Sequence, residues 1–118
     1  MEIIRTNIVN LADNKKALYQ LTKAPGVNVK DIQPDVSHPV AGWALYKDLS
    51  NGRDGAQERE VLAVILEDGT KLQTISGTFI KAFMEIVDLM EDDPFSIITR
   101  KSTSKAGREF VTCDMDCS

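Results

Sequence analysis

The chain has 118 residues, of which 42% are hydrophobic and 27% charged, a balance typical of a folded globular protein rather than a disordered one. Its net charge of −4, taken over the whole chain, argues against binding to nucleic-acid phosphates. The N-terminus lacks the features of a secretory signal peptide, and no apolar stretch approaches the ~20 residues that cross a bilayer. We therefore expect one cytoplasmic domain over residues 1–118 with a buried core.

Residue types that carry catalysis or bind metals are sparse. Cys113 and Cys117 lie close together near the C-terminus, where a disulfide would constrain little of the chain, and we expect two free thiols. The one histidine, His38, is far from both, so a zinc site lacks ligands at a workable spacing. No base lies beside Cys113 and no glycine-rich phosphate loop precedes a helix. We expect no metal, no cofactor and no enzymatic activity.

Residues 1–41 are predicted to form an N-terminal extension that contains a short helix. A weak alternation of apolar and polar residues over 1–12 favours an edge strand or an arm. Asp13 is of the type that caps helices, and a helix is predicted from Asn14 to about Thr22. Residues 25–41 contain three of the four prolines and are predicted to be a long connection with little regular structure.

The first strand of the main fold is predicted over residues 42–49. Because side chains alternate across a strand, Trp43 and Tyr46 lie on opposite faces. We assign Trp43 to the core and Tyr46 to the outer face. The polar residues 50–57 contain two glycines and are predicted to be a loop.

The strongest strand signal is the continuous apolar run from Val61 to Leu66, which predicts a strand over residues 58–66. The pair Asp68-Gly69 follows it and predicts a tight hairpin in which both central residues have positive φ. The return strand is predicted over residues 71–75.

Ser76 is predicted to cap a helix that runs to about Glu91 and stops before Pro94. Apolar residues recur at helical spacing on one face of this segment. They are Phe79, Phe83, Ile86, Val87 and Met90.

Two further strands are predicted over residues 95–101 and 108–116, joined by a basic loop at 102–107. Alternation places Arg108 and Phe110 on the outer face of the last strand. The inner face is then formed by Val111, Cys113 and Met115.

The element order after the extension is three strands, a helix and two strands. This is the order of the OB-fold, a five-stranded Greek-key barrel, and we predict such a β-rich barrel over residues 42–118, with its helix between strands three and four. A small α+β sandwich has the same element order and is the alternative. OB barrels bind oligonucleotides across their middle strands between two loops, which correspond here to residues 50–57 and 102–107.

Positive charge is concentrated near the C-terminus, where residues 95–112 contain four bases and one acid. A protein that binds single strands needs such charge for phosphates and exposed rings for stacking on bases. The candidate rings are Phe110 and Tyr46. The candidate phosphate contacts are Arg53, Arg59, Lys71, Arg100, Lys101, Lys105 and Arg108. A solvated charged hairpin without a ligand is the alternative interpretation of this cluster.

Five stretches of the chain resemble small single-stranded-DNA-binding proteins of phages and conjugative plasmids of Gram-positive bacteria. They are residues 18–23, 43–48, 75–87, 95–98 and 103–113. The most specific of these motifs is Ser-Lys-Ala-Gly-Arg-Glu-Phe at 104–110. Together the motifs extend over most of the chain from about Asn14 onward.

The resemblance implies an OB-fold, sequence-tolerant binding of single-stranded DNA, and a role in phage or plasmid replication or transfer. It implies that Lys105, Arg108 and Phe110 contact the strand, because they lie within the matching motif. Single-stranded RNA is a second candidate ligand. Cooperative self-association on DNA is also expected, with residues 1–12 as a candidate arm for contacts between neighbours. The alternative function is a protein-interaction module that binds a host protein through an exposed strand edge or the acidic end of the long helix.

Overall fold

A computed structural model of the protein describes residues 2–52, 55–91 and 93–117, without the side chains of residues 12, 49–52 and 55–57. The strands are β1 (Glu2–Thr6), β2 (Val27–Asn28), β3 (Ser37–Gly52), β4 (Gly55–Leu66), β5 (Lys71–Thr74), β6 (Ser96–Thr103) and β7 (Glu109–Met115). The helices are α1 (Lys15–Thr22) and α2 (Gly77–Met90), with short 3-10 helices at Leu11–Asp13 and Val29–Asp31. None of the described helices is both long and apolar enough to span a membrane.

The strands form one curled, half-barrel sheet in the order β2-β5-β4-β3-β6-β7. The pairs are antiparallel except β2 with β5, which is parallel. One edge of β3 is shared between two partners, since residues 37–39 pair with β6 and residues 44–47 pair with β1. Within the described residues no ladder joins β7 back to β5 or β2, so the half-barrel stays open along β7.

The β-rich class and the chain order of the main elements are as predicted, but the part of the chain that the structure describes forms seven strands instead of five. The five predicted strands correspond to β3–β7, and the two additional ones lie in the extension. Residues 25–41 are also more regular than predicted, because β2 pairs with β5 and β3 already begins at Ser37. Pro39 is tolerated within β3, where it lies opposite Ser96 of β6.

The prediction of a loop over residues 50–57 is wrong for the residues that the structure describes there, 50–52 and 55–57. The β3–β4 ladder continues through the pairs Ser50↔Gln57, Asn51↔Ala56 and Gly52↔Gly55. Backbone hydrogen bonds and the register set by the apolar pairs nearer the core extend the hairpin through residues whose polar composition indicated a loop.

The turn between β4 and β5 is a hairpin as predicted, but its backbone differs from the prediction. Among its residues only Gly69 has a positive φ, of 91°. Asp68 instead accepts a hydrogen bond through Oδ1 from the backbone N–H of Thr70, at 2.9 Å. The turn therefore uses an Asx-type hydrogen bond and one left-handed glycine.

The inner face of the sheet packs against α2. Leu62 and Val64 of β4 and Trp43 of β3 meet the buried Phe79 and Phe83 of the helix. The rings of Trp43 and Phe83 make an edge-to-face contact with centroids 5.8 Å apart. Ser76 caps α2 as predicted, with Oγ accepting from the N–H of Phe79 at 3.4 Å. The predicted apolar stripe is thus buried, with Met90 half-buried at its end.

The outer face of β3 and β4 is covered as well, by the N-terminal extension. Leu11 and Leu21 pack on Ala44, Tyr46 and Ala63 in a second apolar cluster. The helix α1 is capped by Asn14 rather than the predicted Asp13. The Oδ1 of Asn14 accepts a hydrogen bond from the backbone N–H of Ala17 at 3.1 Å. Of the two alternatives for residues 1–12, the edge strand is observed, because β1 pairs with β3.

Candidate nucleic-acid interface

A groove of about 650 Å³ lies at the open side of the half-barrel, along the start of β7. One wall is formed by residues 28–31, at the end of β2 and in the second 3-10 helix. Thr74 at the end of β5, Ile75 and the capping residue Ser76 also line the groove. Lys101 of β6 and residues 109–111 of β7 form the other wall. The groove therefore occupies the gap across which the described strands do not pair.

Two apolar side chains in the groove are accessible to a ligand. Phe110 is 36% exposed and Ile75 is 57% exposed. Phe110 lies opposite Ser102, on the face of β7 away from the buried Cys113, as the alternation predicted. An exposed ring and an exposed aliphatic side chain that line the same groove provide apolar surface on which a flat base can stack.

The walls of the groove carry two lysines, Lys101 on β6 and Lys30 on the 3-10 helix. Both are exposed, and within the described part of the chain neither makes an ion pair. Two acids, Asp31 and Glu109, also line the groove. The lysines provide charge for phosphates close to the apolar surface.

The loop between β6 and β7 extends the positive charge beyond the groove. The backbone of Ser104 bonds to Arg108 and Gly107, and its Oγ accepts from the N–H of Arg108 at 3.2 Å. Gly107 has a φ of 82°, a conformation that glycine adopts without steric cost. Ser104 and Gly107 thus build the turn, and the exposed Lys105 and Arg108 provide its charge.

Arg100 is on the outer face of β6 and is already paired. Its guanidinium bonds to Asp35 and, through Nε at 3.2 Å, to Asp114. These hydrogen bonds, the one to Asp35 foremost, raise the pKa of Arg100. A phosphate would compete with two carboxylates for this side chain, so its predicted role is not favoured by the geometry.

Two predicted contacts are buried in the structure. Tyr46 is only 4% exposed, because α1 and Leu11 cover the outer face to which it was correctly assigned by parity. Burial is also the main cause of the raised pKa of Tyr46. Lys71 is 7% exposed and donates through Nζ to the carbonyl of Ala24 at 2.7 Å. The prediction that Tyr46 is exposed for stacking is therefore wrong, and Lys71 is held inside the protein.

The remaining predicted base within the described residues, Arg59, does not line the groove. Arg59 is exposed on β4, where it pairs in register with Asp48. Arg53 lies outside the described residues. Three predicted residues, Lys101, Lys105 and Arg108, are thus brought together with Phe110 on one hairpin.

Sequence reasoning missed Lys30 and Ile75. Lys30 fell within the proline-containing segment that was predicted to be an irregular connection. Ile75 was predicted to be the last residue of a strand, which ends one residue earlier. An apolar residue directly before a helix cap usually packs against the helix, so no signal in the sequence indicated the exposure of Ile75. Only the packing of β2 against β5 places Lys30 at the groove.

The cysteines and acids within the described residues show no arrangement suited to metal binding. Burial raises the pKa of the Cys113 thiol to about 12, with the Asp114 carboxylate adding to the rise. Both cysteines are free, and Cys117 is exposed. Among residues 2–52, 55–91 and 93–117, no three His, Cys, Asp or Glu side chains form a group that could hold a metal ion.

An exposed ring, a basic hairpin and a groove at the open side of a curled sheet are features suited to binding a single strand. Comparison with known proteins identifies the family. The model of the phage single-stranded DNA-binding protein family matches residues 9–116, and the chain belongs to this family. It is 28% identical over 114 residues to the single-stranded DNA-binding protein of Bacillus phage B103, covering 94% of this chain and 93% of that protein. No solved structure matches the chain. The prediction of a phage single-stranded-DNA-binding protein is thereby confirmed.

Proposed function

We propose that the protein holds single-stranded DNA in the groove along β7, without strong preference for sequence and without catalysing a reaction. Its role would be to protect and organise exposed strands during phage DNA replication, in the cytoplasm of the bacterial host. The observation that carries the proposal is the juxtaposition of Phe110 and Ile75 with Lys101 and Lys30 in one groove. Every base has a flat face, so stacking on Phe110 is tolerant of sequence.

The local charge supports this position for the strand despite the net charge of −4. Four bases surround the groove and its adjoining loop, namely Lys30, Lys101, Lys105 and Arg108, against the two acids Asp31 and Glu109. Many of the other acids lie elsewhere, for example on the exposed face of α2 at Glu85 and Asp88. The potential at the groove, rather than the sum over the surface, governs attraction of a phosphate backbone.

We assign the fold to the OB type, as one domain in which β3–β7 form the barrel and α2 connects its third and fourth strands. The chain order of these elements and the pairing of β3 with both β4 and β6 support the assignment. In this view residues 1–36 are an addition to the barrel that covers the outer face of its middle strands.

Self-association along DNA is part of the proposal, with single-stranded RNA as a second ligand. Residues 2–6 are paired to β3, so neighbours would contact the outer edge of β1 rather than a free arm. Sedimentation of the protein with and without a long oligo-dT strand tests this part.

The decisive experiment is a fluorescence-anisotropy titration of labelled oligo-dT, with the matching duplex and oligo-rU as comparisons, at several salt concentrations. We expect tight binding to the single strand, weak binding to the duplex, and steep loss of affinity with salt. Each phosphate contact on a single strand adds about 0.7 to the slope of log affinity against log salt. Affinity for the duplex equal to that for oligo-dT would contradict the proposal.

Matched variants locate the strand. The double variant Lys105→Gln, Arg108→Gln should lower the salt slope by about 1.4, because two phosphate contacts are lost. Lys81→Gln is the control, since Lys81 is exposed on α2 and does not line the groove. An equal change in both variants would show that the hairpin is not the contact.

A further inference from the structure

The outward face of α1 has the composition of a single-strand contact, although it lies outside the groove. Tyr19 is 62% exposed, more than any other aromatic side chain in the described part of the chain. At about 100° per residue, Lys16 and Lys23 lie within roughly 60° of Tyr19 around the helix axis. The buried Leu21 points to the opposite side, into the second cluster. This face is therefore presented to solvent.

The charge of this segment is entirely positive. Residues 14–23 contain Lys15, Lys16 and Lys23 and no acid. All three lysines are exposed, and within the described residues none makes an ion pair. Lys15 and Lys16 occupy the first turn, where positive charge is unfavourable with the helix dipole. Interaction with the helix dipole therefore does not account for the positive charge at these two positions.

The end of α1 is fixed to the strand that leads to the groove. Lys71 of β5 donates to the carbonyl of Ala24 at 2.7 Å. Gly26 approaches β5 so closely that a Cβ there would lie 3.0 Å from Oε1 of Gln73. Thr74, at the other end of β5, lines the groove, about 10 Å from Lys71 along the strand.

We propose that α1 provides a second contact for the same single strand of DNA that occupies the groove. A base stacks on Tyr19, and the flanking phosphates bind Lys16 and Lys23, which are displaced from Tyr19 by about 4.5 and 6 Å along the helix axis. Charge complementarity identifies the occupant as a polyanion, and the exposed ring between the lysines selects a strand with unpaired bases. This inference rests on the proposed function and enlarges its site.

The two tyrosines of the chain allow a direct test, because one is exposed and the other is buried. Protein labelled with fluorotyrosine gives one fluorine NMR signal from Tyr19 and one from Tyr46, which Tyr19→Phe assigns. Titration with a long oligo-dT strand should shift the Tyr19 signal and leave the Tyr46 signal in place. An unchanged Tyr19 signal at saturation would overturn the inference and leave this face to contacts with other proteins.

Affinity measurements provide a second readout. Tyr19→Ala should weaken binding of long oligo-dT roughly five- to 150-fold through the loss of one stacked base. Lys16→Gln with Lys23→Gln should lower the salt slope by about 1.4. The control, Leu89→Ala, removes an exposed side chain of α2 and should change neither quantity.

The outcomes separate this inference from the proposed function. If the wild-type protein binds oligo-dT and Phe110→Ala weakens binding, but the α1 variants bind like the wild type, only the α1 contact is refuted. If wild-type protein does not prefer oligo-dT over the duplex, the proposed function fails and the inference fails with it.

Discussion

The two faces of the β3–β4 ladder are both covered, but by very different parts of the chain. The inner face lies under α2, a 14-residue helix with five buried side chains that include two phenylalanines. The outer face lies under α1, an 8-residue helix with one buried side chain, Leu21, assisted by Leu11. The side chains of the sheet differ in size in the same way. The large Trp43 lies on the inner face, and the small Ala44 and Ala63 lie on the outer one.

The difference shows why the candidate interface lies where it does. The middle strands of an OB-type barrel ordinarily provide the surface for an oligonucleotide. In this curled sheet the small residues Ala44 and Ala63 let α1 approach the outer face of β3 and β4, and Tyr46 is buried beneath α1. Within the described strands, the accessible ring is instead Phe110, at the open side of the half-barrel. The N-terminal residues therefore decide which surface of the sheet is free.

The largest expected effect is on the inner face. Phe83→Ala removes a fully buried ring that contacts Trp43 and Phe95, and it should lower the free energy of unfolding by about 3–5 kcal/mol. Denaturant unfolding followed by Trp43 fluorescence measures the loss. A change below about 1 kcal/mol would mean that α2 is not the main cover of the core.

A substitution on the outer face should lower the free energy of unfolding by a smaller but still measurable amount. Leu21→Ala should cost about 2–4 kcal/mol, because Leu21 is fully buried and its removal leaves a cavity above Ala63 and Tyr46. The same unfolding experiment applies, with Leu89→Ala as an exposed control on α2. If Leu21→Ala left the free energy of unfolding unchanged, the extension would be an independent appendage and the comparison of the two faces would not hold.

Substitutions of the exposed Phe110 and of the buried Tyr46 should differ in their effect on the affinity for DNA. Phe110→Ala should weaken oligo-dT binding by about 1–3 kcal/mol, since one stacked base is lost. Tyr46→Phe should bind like the wild type, because the phenol lies beneath the extension. Anisotropy titration measures the affinity of both variants for oligo-dT. A larger loss of affinity in Tyr46→Phe than in Phe110→Ala would place the strand on the covered face.

The smallest effect concerns Lys71, on the outer side of β5. Burial lowers the pKa of Lys71 below its ordinary value of 10.5, so the unfolded chain holds this proton more tightly than the folded one. The contribution of Lys71 to stability therefore rises with pH in the range below 10.5. Lys71→Met should remain within about 1 kcal/mol of the wild type at neutral pH.

The free energy of unfolding of the wild type should therefore rise relative to that of Lys71→Met as the pH approaches 10.5. Urea unfolding at neutral and alkaline pH tests this, with Lys81→Met as the exposed control. A difference between wild type and Lys71→Met that is the same at both pH values would contradict a lowered pKa.

Elements that depend on residues close together in the chain were predicted from the sequence. Ser76, the apolar stripe from Phe79 to Val87 and the turn at Gly69 depend on near neighbours in the chain, and all three elements formed. The exposure of Phe110 followed from simple alternation in the same way. The hairpin motif at residues 104–110 likewise builds its own turn through Ser104 and Gly107.

What depended on distant segments could not be predicted. Alternation placed Tyr46 opposite Trp43, but only the packing of Leu11 and Leu21 decided that the outer face is covered. The charge of Arg100 was evident, whereas its pairing with Asp35 depends on where the proline-containing segment crosses β6. Lys30 reached the groove through the pairing of β2 with β5.

By itself, the sequence determined the β-rich class, the chain order of the main elements, the basic hairpin and the family resemblance. Each of these depends on residue type and on spacing over a few positions. The tertiary structure decided which rings and bases are accessible, and it moved the candidate interface to the open edge beside β7. Exposure is a property of all the segments that pack on a surface, and neither alternation nor charge along one strand records what another segment covers.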